Sequence, residues 1–149
     1  WLVAAPARAQ DGPGGGIGLG LGLGAPAGLS LEMTATRSSS FEAALGVDAF
    51  HQTGAYGHLV YKLALARLAR TPTVSVPFYL GVGGYVFDRD SQEDGLDLGV
   101  RVPMGVNFDF QRAPVQLFVE LALGLDVIHT GPDGRDGFVG GYAGVRYWF

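Results

Sequence analysis

The sequence predicts an all-β chain folded as an antiparallel up-and-down barrel of about eight strands that crosses a lipid bilayer. Three observations carry that prediction. Apolar residues recur at every second position almost throughout Ile17 to Phe149, the period of a strand with one buried face and one facing other surroundings. Several alternating segments reach the roughly 9 to 11 residues that a tilted strand needs to span a bilayer. The face opposite the apolar one mixes glycine with isolated charges of both signs, a composition suited to a narrow interior rather than to a water-facing sheet.

Taken in order, the first segment alternates Ile17, Leu19, Leu21 and Leu23 with Gly18, Gly20, Gly22 and Gly24. The second sets Leu29, Leu31 and Met33 against Ser30, Glu32 and Thr34, and the third sets Phe41, Ala43, Leu45 and Val47 against Glu42, Ala44, Gly46 and Asp48. In the fourth, Leu59, Tyr61, Leu63 and Leu65 face away from His58, Val60, Lys62 and Ala64. Its end is ambiguous, because Lys62 to Arg70 equally fits an amphipathic helical turn or two. The fifth runs from Val76 to Val86, with Tyr79, Gly81, Gly83 and Tyr85 on its second face. The sixth is the clearest, since every even position from Leu96 to Phe110 is apolar. Pro103 on its other face cannot donate to a ladder and predicts a bulge or local gap. The seventh repeats the pattern from Val115 to Val127, and the eighth carries Val139, Gly141, Ala143, Val145, Tyr147 and Phe149 on one face. Connections rich in Gly, Pro, Asp and Ser suit hairpins, and closure into a barrel removes the unpaired edges that lipid cannot satisfy.

Ahead of the strands, Trp1 to Gln10 reads as the end of an apolar run followed by the small-x-small pattern Ala7-Arg8-Ala9, the mark of a cleaved export signal. The predicted organisation is therefore a signal remnant over 1–9, a flexible Gly/Pro-rich lead-in over 10–16 and a barrel over 17–149. The 149 residues amount to one domain. No run of about 18 uncharged apolar residues exists, so insertion has to be by strands. Cysteine is absent, which removes disulfides and thiolate chemistry. A net charge of -4 argues against a nucleic-acid partner, which needs a cationic face.

Two barrels fit the alternation, and they differ in which face looks out. A soluble lipocalin-like carrier puts its apolar face inside, whereas a membrane barrel reverses the arrangement. The uniform Leu, Val and Phe face, with aromatics such as Phe41, Tyr61, Phe108, Phe110, Tyr147 and Phe149 near strand ends, favours the reversed form. The inner face then carries Glu32, Glu42, Asp48, Lys62, Arg101, Glu120, Asp126 and Arg146. Charges enclosed in a narrow lumen need partners. Glu120, Asp126, Arg101 and Arg146 come from the last three strands and predict an interior charge network with at least one acid–arginine pair, Arg146 with Glu120 being the pairing to test. With both termini at one end, the turns around Arg37 to Ser40, Ala66 to Thr73 and Gln111 to Pro114 carry Arg37, Arg67, Arg70 and Arg112 and no acid. Two opposite loops are acidic, with Asp88, Asp90, Glu93 and Asp94 in one and Asp133 and Asp136 in the other.

The final nine residues, Gly141-Tyr142-Ala143-Gly144-Val145-Arg146-Tyr147-Trp148-Phe149, resemble the closing strand of bacterial outer-membrane proteins. In that family the chain ends on Phe, with an aromatic two positions earlier and apolar residues at alternate positions before it. Val145, Tyr147 and Phe149 match, while Ala143 and Gly141 are smaller than the pattern prefers. The resemblance implies a place in the outer membrane of a Gram-negative-type bacterium, with lipid and lipopolysaccharide around the wall. It makes Val145, Tyr147 and Phe149 an assembly signal read by the barrel-assembly machinery. More narrowly, Gly81-Val82-Gly83-Gly84 and Gly99-Val100-Arg101-Val102-Pro103-Met104-Gly105 resemble small outer-membrane barrels of OmpX size, a family of unknown function with no activity to carry over.

Candidate chemistry is sparse. His51, His58 and His129 with scattered serines invite comparison with lipid A hydrolases, but no nucleophile–base spacing is recognisable. Asp88-x-Asp90 with Glu93 and Asp94 could collect a calcium ion, although an EF-hand loop has Gly where Glu93 stands. The glycines from Gly14 to Gly24 contain the letters of a dinucleotide fingerprint without a preceding strand or following helix. Eight strands leave a lumen only wide enough for side chains, which argues against a porin-like channel. The expectation is a monomeric, non-enzymatic structural or surface-interaction barrel without cofactor or metal. A lipid A or phospholipid-modifying barrel and a soluble carrier remain the alternatives.

Overall fold

Residues that alternate along a strand necessarily separate onto two faces, and the chain uses this to build one closed sheet with opposite characters inside and out. A computed structural model describes residues 16–47, 54–89, 95–129 and 137–149, without the side chains of Arg89 and His129. The strands are β1 (Ile17–Gly24), β2 (Ala27–Thr36), β3 (Ser39–Val47), β4 (Gly54–Arg70), β5 (Val74–Arg89), β6 (Gly95–Phe110), β7 (Val115–His129) and β8 (Phe138–Trp148). Each pairs antiparallel with its sequence neighbour, and β1 pairs with β8 from Gly18↔Trp148 to Gly24↔Tyr142. The eight strands therefore close into an up-and-down barrel.

In this meander both ends of the strand series and the short turns 37–38, 71–73 and 111–114 fall at one end of the barrel. Thr71 closes its turn by accepting hydrogen bonds on Oγ1 from the amides of Thr73 and Val74. Ala25–Pro26 connects β1 to β2 at the opposite end. The predicted export segment over 1–9, nearly all of the lead-in, Asp48, His51, Asp90, Ser91, Glu93, Asp94, Asp133, Arg135 and Asp136 lie outside the described residues.

At the end of the fourth segment the strand form holds and the helical one does not, and the turn expected around Ala66 to Thr73 is shorter than expected. Lys62 to Arg70 is neither helical nor part of a long turn; it continues β4, and only 71–73 turns. Bulges fall between Ala64 and Ala66 and between Arg67 and Ala69. Each inserts one extra residue, Leu65 and Leu68, and so shifts the phase of the alternation. A strand whose exposed leucines stand three apart imitates a helical face. At Pro103 the expectation is met by a gap and not by a bulge. The β5–β6 pairing runs Leu80↔Met104, then resumes at Gly83↔Arg101 in unchanged register, while the pairing of Pro103 with Ala122 on β7 is uninterrupted. The missing amide hydrogen of proline accounts for a break on one side only.

Glycine has a specific use at the closing seam. Gly18, Gly20 and Gly22 face the lumen from β1, where large β8 side chains lie over them. A Cβ on Gly22 would run into the Tyr142 ring, and one on Gly18 would meet the Trp148 indole at 3.0 Å. We therefore expect Gly22→Leu to destabilise the barrel by about 1 to 3 kcal/mol through overpacking. Gly141, whose missing Cβ points into open space, should accept alanine within about 0.5 kcal/mol. Urea unfolding of both variants in detergent micelles checks this pair, and equal losses would refute the seam argument.

Candidate functional site

The lumen is where the chain concentrates its ionisable groups. Glu32 on β2 and Glu42 on β3 stand directly opposite one another in the ladder and are fully buried. Two carboxylates so placed repel, so the pair needs cations. Lys62 on β4 supplies one, its Nζ lying 3.1 Å from Glu32 and 2.6 Å from Glu42. Arg146 on β8 supplies the other, its Nη1 donating to Glu32 and its Nη2 lying 2.7 Å from Glu42. The four groups make a closed ring in which each charge touches two of the opposite sign.

Arg146 reaches this ring because of the glycines. Its partner across the β1–β8 ladder is Gly20, and Gly20 in turn pairs with Ser30 on β2. With no side chain on β1 in the way, the guanidinium passes over that strand. Its Nε donates to Ser30 Oγ at 2.8 Å and its Nη1 to Gln116 Oε1 at 3.1 Å. Ser40 donates to Glu32 at 2.6 Å, and Gln116 to Asp109 at 2.7 Å. Apolar atoms complete the packing, with Arg146 stacked 3.9 Å from the Phe118 ring centroid and Lys62 4.0 Å from that of Tyr79.

A second group involves Arg101, which lies 2.6 Å from Glu120 and donates to the Tyr56 hydroxyl at 3.0 Å and the Ala25 carbonyl at 3.1 Å. Tyr79 donates to the other oxygen of Glu120 at 2.8 Å. The third is aromatic. Tyr56 and Tyr85 stack with ring centroids 5.8 Å apart, Phe138 meets Tyr85 edge-on at 5.1 Å, and the Tyr85 hydroxyl donates to Asp126. Among the described residues, then, large side chains occupy the lumen at successive levels, as an eight-stranded barrel allows.

The four residues expected to form one interior network are divided among these groups. Arg101 and Glu120 are brought together. Arg146 is not placed with Glu120; it belongs to Glu32 and Glu42, and Asp126 is held by a tyrosine and not by an arginine. Alternation identifies residues sharing a face, but not which of them meet across the lumen. Tyr56, Ser40 and Gln116 were missed as partners, although their inward parity was readable.

His58, the one histidine with a described side chain, is buried in the lumen. Its Nε2 stands 3.7 Å from Glu42, and its ring sits edge-on to Tyr56 and Tyr142. The lumen serines Ser30 and Ser40 are engaged with Arg146 and Glu32 instead. On the outer wall, Gly57 and Gly84 leave a shallow groove of about 520 Å³ between Leu45, Leu59, Val86 and Leu98. The ring nitrogens of His58 are buried beneath it. Among the described residues no His, Asp and Glu side chains gather as a metal-ligand set.

The outside has the opposite character. Leu21, Leu29, Leu45, Leu59, Leu121, Leu125 and Val139 are each at least 59% exposed, and among the described residues no lumen charge interrupts them. Val145, Tyr147 and Phe149 all lie on this outer wall, the last two with rings 4.9 Å apart. No protein-family model, curated protein or solved structure matches the chain.

Proposed function

We propose that the chain is an integral outer-membrane barrel with a side-chain-filled lumen, acting as a structural or surface-interaction protein and not as an enzyme or channel. One observation carries the reading: the barrel is inverted, with paired charges buried inside and large apolar side chains exposed around the whole wall. In water such a wall would be a continuous aggregation surface, since soluble monomers rarely expose apolar patches above a few hundred Å². In lipid the same wall is solvated, and the closed ladder leaves no backbone edge to satisfy. A carrier of the lipocalin type needs an apolar lumen, and this one is occupied by ion pairs and stacked rings.

The direct test is fractionation of expressing cells with gel migration before and after boiling. The expected result is outer-membrane protein that shifts on heating and stays folded only with detergent or lipid. A folded, detergent-free monomer would overturn the reading.

The same proposal takes β8 as the strand read by the assembly machinery. Deleting Phe149 should lower heat-modifiable protein in the outer membrane while export across the inner membrane continues, because Phe149 marks the interfacial end of the closing strand. Unchanged assembly in the deletion would remove this role.

A further inference from the structure

At the end of the barrel that holds the short turns, every hairpin presents arginine. Arg37 lies in the β2–β3 turn, Arg67 and Arg70 on the last residues of β4, and Arg112 in the β6–β7 turn. Arg37, Arg70 and Arg112 are exposed. Arg67 stands apart from the other three: it is half-buried, with its Nε shut off from solvent, and pairs with the inward-facing Pro77, on the side of the sheet that holds the buried Asp109. The opposite end is different. Asp88, at the end of β5, is exposed, and Asp97 and Asp126 face inward there.

The arginines also border the apolar wall. Leu65 and Leu68, the residues extruded by the two β4 bulges, are exposed beside Arg67 and Arg70, and Tyr147 and Phe149 end the wall on the other side of the seam. Past the last pairings of β4 with β3 at Ser39↔Leu63 and Ser38 with Ala64, β4 runs on beside β5 alone, which carries its arginines below the β2–β3 turn. Exposed positive charge at the end of an apolar and aromatic wall has the chemistry of a lipid leaflet in reverse: acyl chains against leucine, anionic headgroups against guanidinium. Arginine binds phosphate oxygens through a planar fork, which suits it to that position better than a lone ammonium.

We infer that the arginine rim formed by Arg37, Arg70 and Arg112 is a docking surface for the anionic phospholipid headgroups of the leaflet on the side of the short turns, and anchors the barrel at that end. The inference rests on the membrane reading proposed above. Each cation near an anionic surface is worth roughly fivefold in partitioning, so the three exposed arginines together should give a preference on the order of a hundredfold.

The experiment refolds the full chain from urea into vesicles of phosphatidylcholine, or of phosphatidylcholine with phosphatidylglycerol, and scores heat-modifiable barrel. The parent should fold at lower lipid concentration with phosphatidylglycerol, and strong salt should abolish the difference by screening it. The triple variant Arg37→Gln, Arg70→Gln, Arg112→Gln should fold equally in both vesicles, and match the parent in the neutral one. A triple variant that keeps the parent's preference, or a parent that inserts into both vesicles alike, overturns the rim while leaving the membrane reading intact. A chain that inserts into neither overturns both.

Discussion

Arg146→Ala should be among the most damaging single substitutions in the barrel, costing about 3 to 5 kcal/mol, the range for removing one partner of a buried ion pair. Glu32 and Glu42 would be left facing each other with only Lys62 between them, and Ser30 and Gln116 would each lose a donated hydrogen bond. The partners are distinguishable by double-mutant cycles. Glu42→Gln and Glu32→Gln should each lose part of their own cost once Arg146 is gone, because the three groups share one ring. Glu120→Gln should add its cost in full, since its contacts are Arg101 and Tyr79. Urea unfolding in micelles supplies the free energies. Strong coupling of Arg146 to Glu120, with none to Glu32 or Glu42, would contradict the lumen described above. Arg146→Lys should fall between parent and alanine, since an ammonium cannot bridge both carboxylates while also reaching Ser30.

That contrast marks what could and could not be read from the chain itself. Period two assigns each residue to a face, so the outward leucines and the inward Glu32, Glu42, Lys62, Arg101, Glu120 and Arg146 follow from parity. Which inward residues meet is set by strand tilt, by the register at the β1–β8 seam and by the absence of side chains on β1. Arg146 follows Glu32 by more than a hundred residues in the chain and reaches it only because the β1 glycines between them, Gly20 opposite Arg146 and Gly18 opposite Glu32, carry no side chain. The alternating glycines of β1 read simply as a small-residue strand, yet their role is to make room for Tyr142, Arg146 and Trp148. Bulges are illegible for a related reason. Leu65 and Leu68 break the period by insertion, and nothing local distinguishes that from a helical turn.

Leu121→Arg gives the second large effect, and it tests the wall and not the lumen. Leu121 is 59% exposed near the middle of β7. On a protein solvated by water, arginine at so open a position changes stability by no more than about 0.5 kcal/mol. On a wall solvated by acyl chains the same substitution near the midplane costs about 2 to 4 kcal/mol, falling to about 0 to 1 kcal/mol near an interface. Leu23, 75% exposed and next to the end of β1, is the interfacial comparison. Neither side chain touches the lumen charges, so each variant keeps the buried network. The expected result in vesicles is a clear loss for Leu121→Arg and little or none for Leu23→Arg. Both variants should unfold from micelles with smaller and more similar penalties, because a detergent belt yields around a charge more readily than a bilayer does. Equal and negligible losses in vesicles would mean that the apolar wall is not the surface lipid covers.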